Sequence, residues 1–121
     1  MKTSTRRVDK PWGHELIWAH TPRYVGKILH IHKGHKLSLQ YHQKKEETIH
    51  LLSGSLLLVV DEGAGRVEIE MRPGDSYHIA PLVKHRMVAI SDSDVLEAST
   101  PELDDVVRLE DAYGRTGSRD P

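Results

Sequence analysis

The chain of 121 residues contains no cysteine. That excludes a disulfide framework, a thiolate nucleophile and a thiolate metal ligand, so any bound metal must be held by histidine, carboxylate or amide groups. Phenylalanine is absent too, and with 37% hydrophobic residues a core has to be built mainly from Leu, Ile and Val. The formal charge of −1 supplies neither a basic field for nucleic acid nor an acidic one for cationic partners. No apolar run approaches membrane-spanning length, and the start "MKTSTRRVDKPWG" lacks an apolar signal-peptide core. A soluble cytoplasmic protein with no nucleic-acid or membrane partner is the expectation. The length suits one domain. What the chain holds in excess is histidine, nine in all.

The apolar pattern is short and β-like throughout. "HELIWAH" reads as a strand broken by "TPR". "YVGKILHIH" alternates, with Ile28, His30 and His32 on one side and Lys27, Leu29 and Ile31 on the other. After the "KGHK" turn, "KLSLQYH" puts Ser38, Gln40 and His42 on one face and Leu37, Leu39 and Tyr41 on the other. "ETIHLLSG" groups Glu47, Ile49 and Leu51, and "SLLLVV" follows its turn. Asp-Glu-Gly-Ala-Gly makes a hairpin loop into "RVEIEM", whose Val67, Ile69 and Met71 share a face. "RPGD" is a turn, "SYHIA" and "HRMVAI" flank a turn at "PLVK", and "DVLEAS" is the last clear strand. Residues 101–121 form a polar, irregular tail, expected to wrap the barrel with its last residues disordered. Many short strands with regular turns, no amphipathic helix and no internal repeat point to an all-β sandwich or barrel.

If the strands around residues 40 and 49 pair, Gln40, His42 and Glu47 project together into the interior. An amide oxygen, a neutral imidazole and a carboxylate suit Zn, Mn, Fe, Co or Ni, and a carboxylate buried without a cation is expensive to desolvate. The competing account is that Glu47 faces water beside Lys44 and Lys45 in a solvated turn. Alternation alone does not decide between them.

Spacing adds more. Gly34, Gln40, His42, Glu47 and Gly54 resemble the first cupin motif, G-x5-H-x-H-x(3,4)-E-x6-G, with Gln40 in place of its first His. "GDSYHIAPLVKHRMVA" resembles the second, G-x5-P-x-G-x2-H-x3-N, on Gly74 and His85, with Ala80, Leu82 and Ala89 departing from it. Leu in place of the motif's Gly implies a turn that does not use positive φ at residue 82. The resemblance implies a single cupin domain over residues 1–121, a double-stranded β-helix or jelly-roll barrel at about 10–100 followed by the tail. It also implies a divalent metal ion on Gln40, His42, Glu47 and His85, zinc first, with Mn, Fe, Co or Ni also accommodated.

The chain is similar, more narrowly, to the mannose-6-phosphate isomerase group of cupins. "KPWGHE", "GHKLSLQYH", "HRM" and "DDVVRLEDAYGR" carry that likeness from about Lys10 to Arg115, whereas "HQKKEET" lacks the extra His and the aromatic found in the larger relatives, in which this unit is fused behind a mannose-1-phosphate nucleotidyltransferase domain. The implied activity is a metal-dependent aldose–ketose isomerisation of a phosphorylated sugar, in which the metal polarises the carbonyl and stabilises enediolate charge. The general base is not singled out; Lys36 and His30 are the candidates. Lys27 and Arg86 are the candidate substrate contacts, although Arg86 should point away from His85, where packing or a salt bridge is the simpler role. Arg108 and Arg115 can bind phosphate, but pairing with Asp104, Asp105, Glu110 or Asp111 is the simpler account. Lys44, Lys45, Glu46 and His50 are assigned to the wet turn and outer face, His78 to a structural role, and Trp12 and Trp18 to packing. A homodimer follows from the likeness alone. The alternative function is a non-catalytic metal- and sugar-binding cupin acting as a sensor or accessory protein.

Overall fold

In the computed structural model, which describes residues 1–118, the chain is all β. Its strands are β1 (Arg6–Lys10), β2 (Gly13–His20), β3 (Val25–Ile31), β4 (Leu39–Tyr41), β5 (Glu47–Ser53), β6 (Leu56–Asp61), β7 (Arg66–Met71), β8 (Ser76–Ile79), β9 (Lys84–Ala89), β10 (Ser93–Ser99), β11 (Val107–Glu110) and β12 (Gly117–Ser118). They form two antiparallel sheets, β1-β2-β3-β10-β5-β8 and β12-β11-β4-β9-β6-β7. Among the described residues no helix is long and apolar enough to cross a membrane. The fold is a jelly roll.

Period-two burial explains why these segments are strands. In β6 and β9 alternate residues turn inward, and Leu56, Leu58, Val60, Met87 and Ala89 meet Leu29, Ile49, Leu51 and Val95 of the other sheet in one core. With no Phe available, aliphatic residues do fill this core. On β7 the expected face weakens toward the hairpin: Met71 is buried, Ile69 partly so, and Val67 is 54% exposed.

Several expectations need correction. β4 and β5 do not pair; β4 lies between β11 and β9, and β5 between β10 and β8. The groups expected side by side on a hairpin therefore come from opposite sheets. Alternation also breaks ahead of β4: Leu37, expected opposite Ser38, joins the core while Ser38 is itself 1% exposed. Regular pairing begins only at Leu39, with an isolated bridge from Lys36 to Val88 before it. The tail is irregular only in part, since β11 and β12 lie within it. Val107 and Arg108 pair with Tyr41 and Gln40, so β11 extends the second sheet directly over the candidate ligands. Strands also precede residue 10, since β1 begins at Arg6. Residues 119–121, for which disorder is expected, lie outside the described residues.

The turn between β8 and β9 overturns the expectation for Leu82, which has φ 72°. Pro81 followed by a positive-φ residue, with Val83 N donating to Ala80 O at 3.3 Å, is a type II turn. A β-unbranched Leu in this region is strained by about 1–2 kcal/mol. Burial does not hold it there, as Leu82 is 64% exposed. Hydrogen bonding does: Leu82 N donates to His42 O at 2.7 Å.

Candidate metal centre

Three side chains converge between the sheets: His42 just after β4, Glu47 at the head of β5, and His85 on β9. Their relative exposures are 3%, 3% and 1%. Each imidazole is oriented from behind. His42 Nδ1 donates to the carbonyl of Asp105 at 2.5 Å, and His85 Nδ1 to that of Val83 at 2.9 Å. With the Nδ1 proton so placed, the neutral ring presents Nε2 as a bare lone pair. Glu47 Oε1 lies 3.2 Å from His85 Nε2 and 3.7 Å from His42 Nε2. One ligand atom from each residue falls within 4.8 Å of the others, and no described residue hydrogen-bonds to either Nε2. Three buried acceptors facing one another are unfavourable until a cation sits among them. The donor set fits a divalent ion with N and O preference.

Gln40 stands opposite His85 in the β4–β9 register and lines a cavity together with His42 and Glu47, where its Oε1 accepts from Ser38 Oγ at 2.7 Å. It shares the face of the three ligands, held by a hydroxyl.

Lys45 is the largest departure from expectation. Assigned to the wet turn, it is 5% exposed, and its ammonium lies 3.1 Å from both Glu47 Oε2 and Glu97 Oε2. Lys44 is exposed as expected. Phase separates them: residues 45, 47 and 49 point inward, and 44, 46 and 48 outward. Burial lowers the Lys45 ammonium pKa, but Glu97 and then Glu47 outweigh it and raise the group above its ordinary value. Burial by itself would raise the Glu47 carboxyl, and the Lys45 ammonium overturns this and holds it well below the usual range. Glu97, not singled out from the sequence, lies in phase with buried Val95 and Ser99 on β10. That in-phase carboxylate was the available signal.

Asp105 is the second residue that sequence reasoning passed over as a ligand support. Its carboxylate accepts the backbone N–H groups of Gln43, Lys44 and Lys45 at 2.9, 2.6 and 2.8 Å, while its carbonyl holds His42. Burial raises the Asp105 carboxyl, and the three backbone donors more than reverse it. A single tail residue thus fixes the loop that carries His42, Lys45 and Glu47.

The cavity over these ligands is lined by Lys10, Glu15, Lys27, Glu97, Arg108 and Arg115, among others. Lys27, a candidate substrate contact, does line it, with Nζ 3.2 Å from Glu15 Oε1 and 3% exposure. Burial depresses the Lys10 ammonium, opposed by Glu15 and reinforced by Lys27, Arg108 and Arg115, which marks a crowding of positive charge at this end. Arg115 is bound to Asp111 at 2.9 Å, the pairing expected for it.

The other candidates lie elsewhere. Arg86 points away from the cavity, as its phase beside His85 requires, and donates to Leu37 O at 2.9 Å and Glu110 O at 3.1 Å. It does not line this cavity, contrary to its place as a candidate substrate contact. Lys36 bridges to outward-facing Val88, and His30 faces outward, bonded to Asp94 at 2.7 Å and stacked on His14. Neither can serve as a base in the cavity. His50 bonds Ser76, and His78 bonds Glu46, both on the outer side. Trp12 is buried against the core, whereas Trp18 is 46% exposed and covers Gly26, where a Cβ would lie 2.6 Å from its ring.

Residues 27–98 match the family model of the cupin domain. The chain is a cupin. No curated protein matches it. Among solved structures, the cupin resembles KdgF from Halomonas sp. at 22% identity and TM-score 0.70, covering 82% of this chain and 88% of that one. An RmlC-like cupin from Shewanella frigidimarina matches at 17% identity and TM-score 0.70 over 80% and 84% of the two chains. Oxalate decarboxylase from Bacillus subtilis matches at 14% and 0.74, over 87% of this chain and 30% of that larger one. At these identities the likeness is one of fold.

Proposed function

We propose that this cupin is a metal-dependent isomerase of phosphorylated sugars, interconverting an aldose phosphate and its ketose in the manner of the mannose-6-phosphate isomerase group. The observation that supports this most is where the tail sits. "DDVVRLEDAYGR" lies beyond the 27–98 cupin match, yet it carries the likeness to that group and supplies Asp105, Arg108 and Arg115 to the site.

His42, Glu47 and His85, with Gln40 beside them, would hold the metal, which when bound supplies Lewis-acid polarisation of a carbonyl. Lys10, Arg108 and Arg115 at the cationic end attract the phosphate of the substrate. Neither Lys36 nor His30 reaches the cavity, and the buried carboxylates that line it are engaged by Lys27 and Lys45, so its lining singles out no general base. The cavity alone has room for about 50 Å³, but a cleft of about 240 Å³ shares Lys10, Glu15, Lys27 and Leu103 with it and can take the rest of a sugar phosphate. The small inner room is also what favours the second reading, a cupin that binds metal and a small anion without turnover. A homodimer belongs to the same proposal and is checked by light scattering.

Metal analysis combined with isomerisation assays on a phosphosugar panel, for wild type and His42→Ala, separates the two. Isomerisation that tracks metal content and is lost in His42→Ala is expected. Full metal occupancy without turnover on any phosphosugar would overturn the isomerase and leave the binding cupin.

A further inference from the structure

We infer that Lys45 confines Glu47 to one-oxygen metal ligation, making Lys45 a positioning residue that keeps coordination positions open for a bound small molecule. The inference rests on the metal reading of the site and not on isomerase activity.

A carboxylate has two oxygens, and here they have different neighbours. Oε1 faces His85 Nε2 and His42 Nε2 at 3.2 and 3.7 Å, while Oε2 lies 3.1 Å from the Lys45 ammonium. For Glu47 to offer both oxygens to a metal, Oε2 would have to be shared between the ion and the Lys45 ammonium, setting two cations against one oxygen, or leave Lys45 altogether. The ammonium could not follow into water, because its side chain is 6% exposed. It is also tethered on three sides. Glu97 Oε2 holds it at 3.1 Å, and Asp105 Oδ2 accepts its own backbone N–H at 2.8 Å. The third tether is sheet register: Ser99 pairs with Glu47 and Glu97 with Ile49, so the two carboxylates cannot drift apart along β5 and β10.

The charge pattern continues outward. Lys27 pairs in register with Glu97 and is bonded to Glu15, giving a buried row Glu15, Lys27, Glu97, Lys45, Glu47 of alternating sign across four strands. Each member is 7% exposed or less. Such a row fixes every charge in place because moving one leaves its neighbours uncompensated in a low-dielectric interior. At its end, Glu47 is left with a single free oxygen, and that oxygen is the one directed at the two imidazoles.

The test uses the full chain loaded with cobalt(II) or zinc. In a crystal structure of the metal-loaded wild type, Glu47 should bind through Oε1 alone with Oε2 still on Lys45. Lys45→Met should shift the cobalt d–d absorption toward the weaker bands of a higher coordination number as Oε2 joins the metal, and Lys45→Arg should restore the wild-type spectrum. A merely structural Lys45 would lower stability and metal occupancy in Lys45→Met while leaving the spectrum of the fully occupied site unchanged, and that result overturns the inference. So does a wild-type structure with both Glu47 oxygens on the metal, which decides the matter even if Lys45→Met does not fold. Failure to bind any metal overturns it together with the metal reading. Metal bound as described without phosphosugar turnover supports the inference and removes only the isomerase.

Discussion

Lys44 and Lys45 are identical neighbours in sequence, and replacing each by Met should have very unequal consequences. Lys44 is exposed, so Lys44→Met should change stability by less than about 0.5 kcal/mol. Lys45→Met leaves Glu47 and Glu97, 3% and 4% exposed, facing each other without their shared cation. Removing one partner of a buried pair costs about 3–5 kcal/mol. Against a total stability of roughly 5–15 kcal/mol that is a large share, and for a domain of this size it lowers Tm by roughly 10–25 °C. Urea denaturation of the metal-free proteins, with equal m-values, measures the difference.

The same variant should acquire a pH dependence that the wild type lacks. In the wild type the folded Glu47 pKa is depressed, so its stabilisation is present above the unfolded value and is lost only as pH falls through the lower folded value. Between pH 5 and 8 the wild type is flat in this group. In Lys45→Met one of the two carboxyls takes up a proton, its folded pKa rising above the unfolded value. The folded state then binds more protons than the unfolded, and stability falls as pH rises, by up to about 1.4 kcal/mol per pH unit. A loss under about 1 kcal/mol with a flat profile, indistinguishable from Lys44→Met, would refute the buried triad.

Three further outcomes follow from the geometry. Leu82→Gly should raise stability by about 0.5–1 kcal/mol, because relief of about 1–2 kcal/mol of strain at φ 72° exceeds the added entropy of the unfolded chain; a loss in urea denaturation would show that the turn is not strained. Asp105→Ala removes the acceptor of three backbone N–H groups and should cost about 1–3 kcal/mol and weaken zinc binding roughly 10- to 100-fold in calorimetry. Zinc at about 100 times its Kd should stabilise the wild type by about 2.7 kcal/mol, seen as a rise in Tm, and His85→Ala should abolish that rise.

Much of this was legible in the sequence, and what was not has physical reasons. Period-two patterns placed the strands of residues 14 to 99 and the inward phase of Glu47, Ile49 and Leu51, because one buried face imposes that period directly. The likeness to cupins brought together His42, Glu47 and His85, which the fold joins across two sheets. Pairing partners were not legible, since a jelly roll seats β5 against β10, far along the chain, where a hairpin would have seated β4. Nor was the ordered tail: "DDVVRLE" is polar because its side chains work on the site, Asp105 on the loop of residues 43–45 and Arg108 on the cavity. Lys45 was misplaced because hydrophobicity assigned it to water, while its phase, shared with Glu47, assigned it to the interior. The rule that decides such cases is the phase. A charged residue two positions ahead of an inward carboxylate shares its face here even before the strand begins, and inside a barrel it must be paired, as Lys45 is by Glu47 and Glu97.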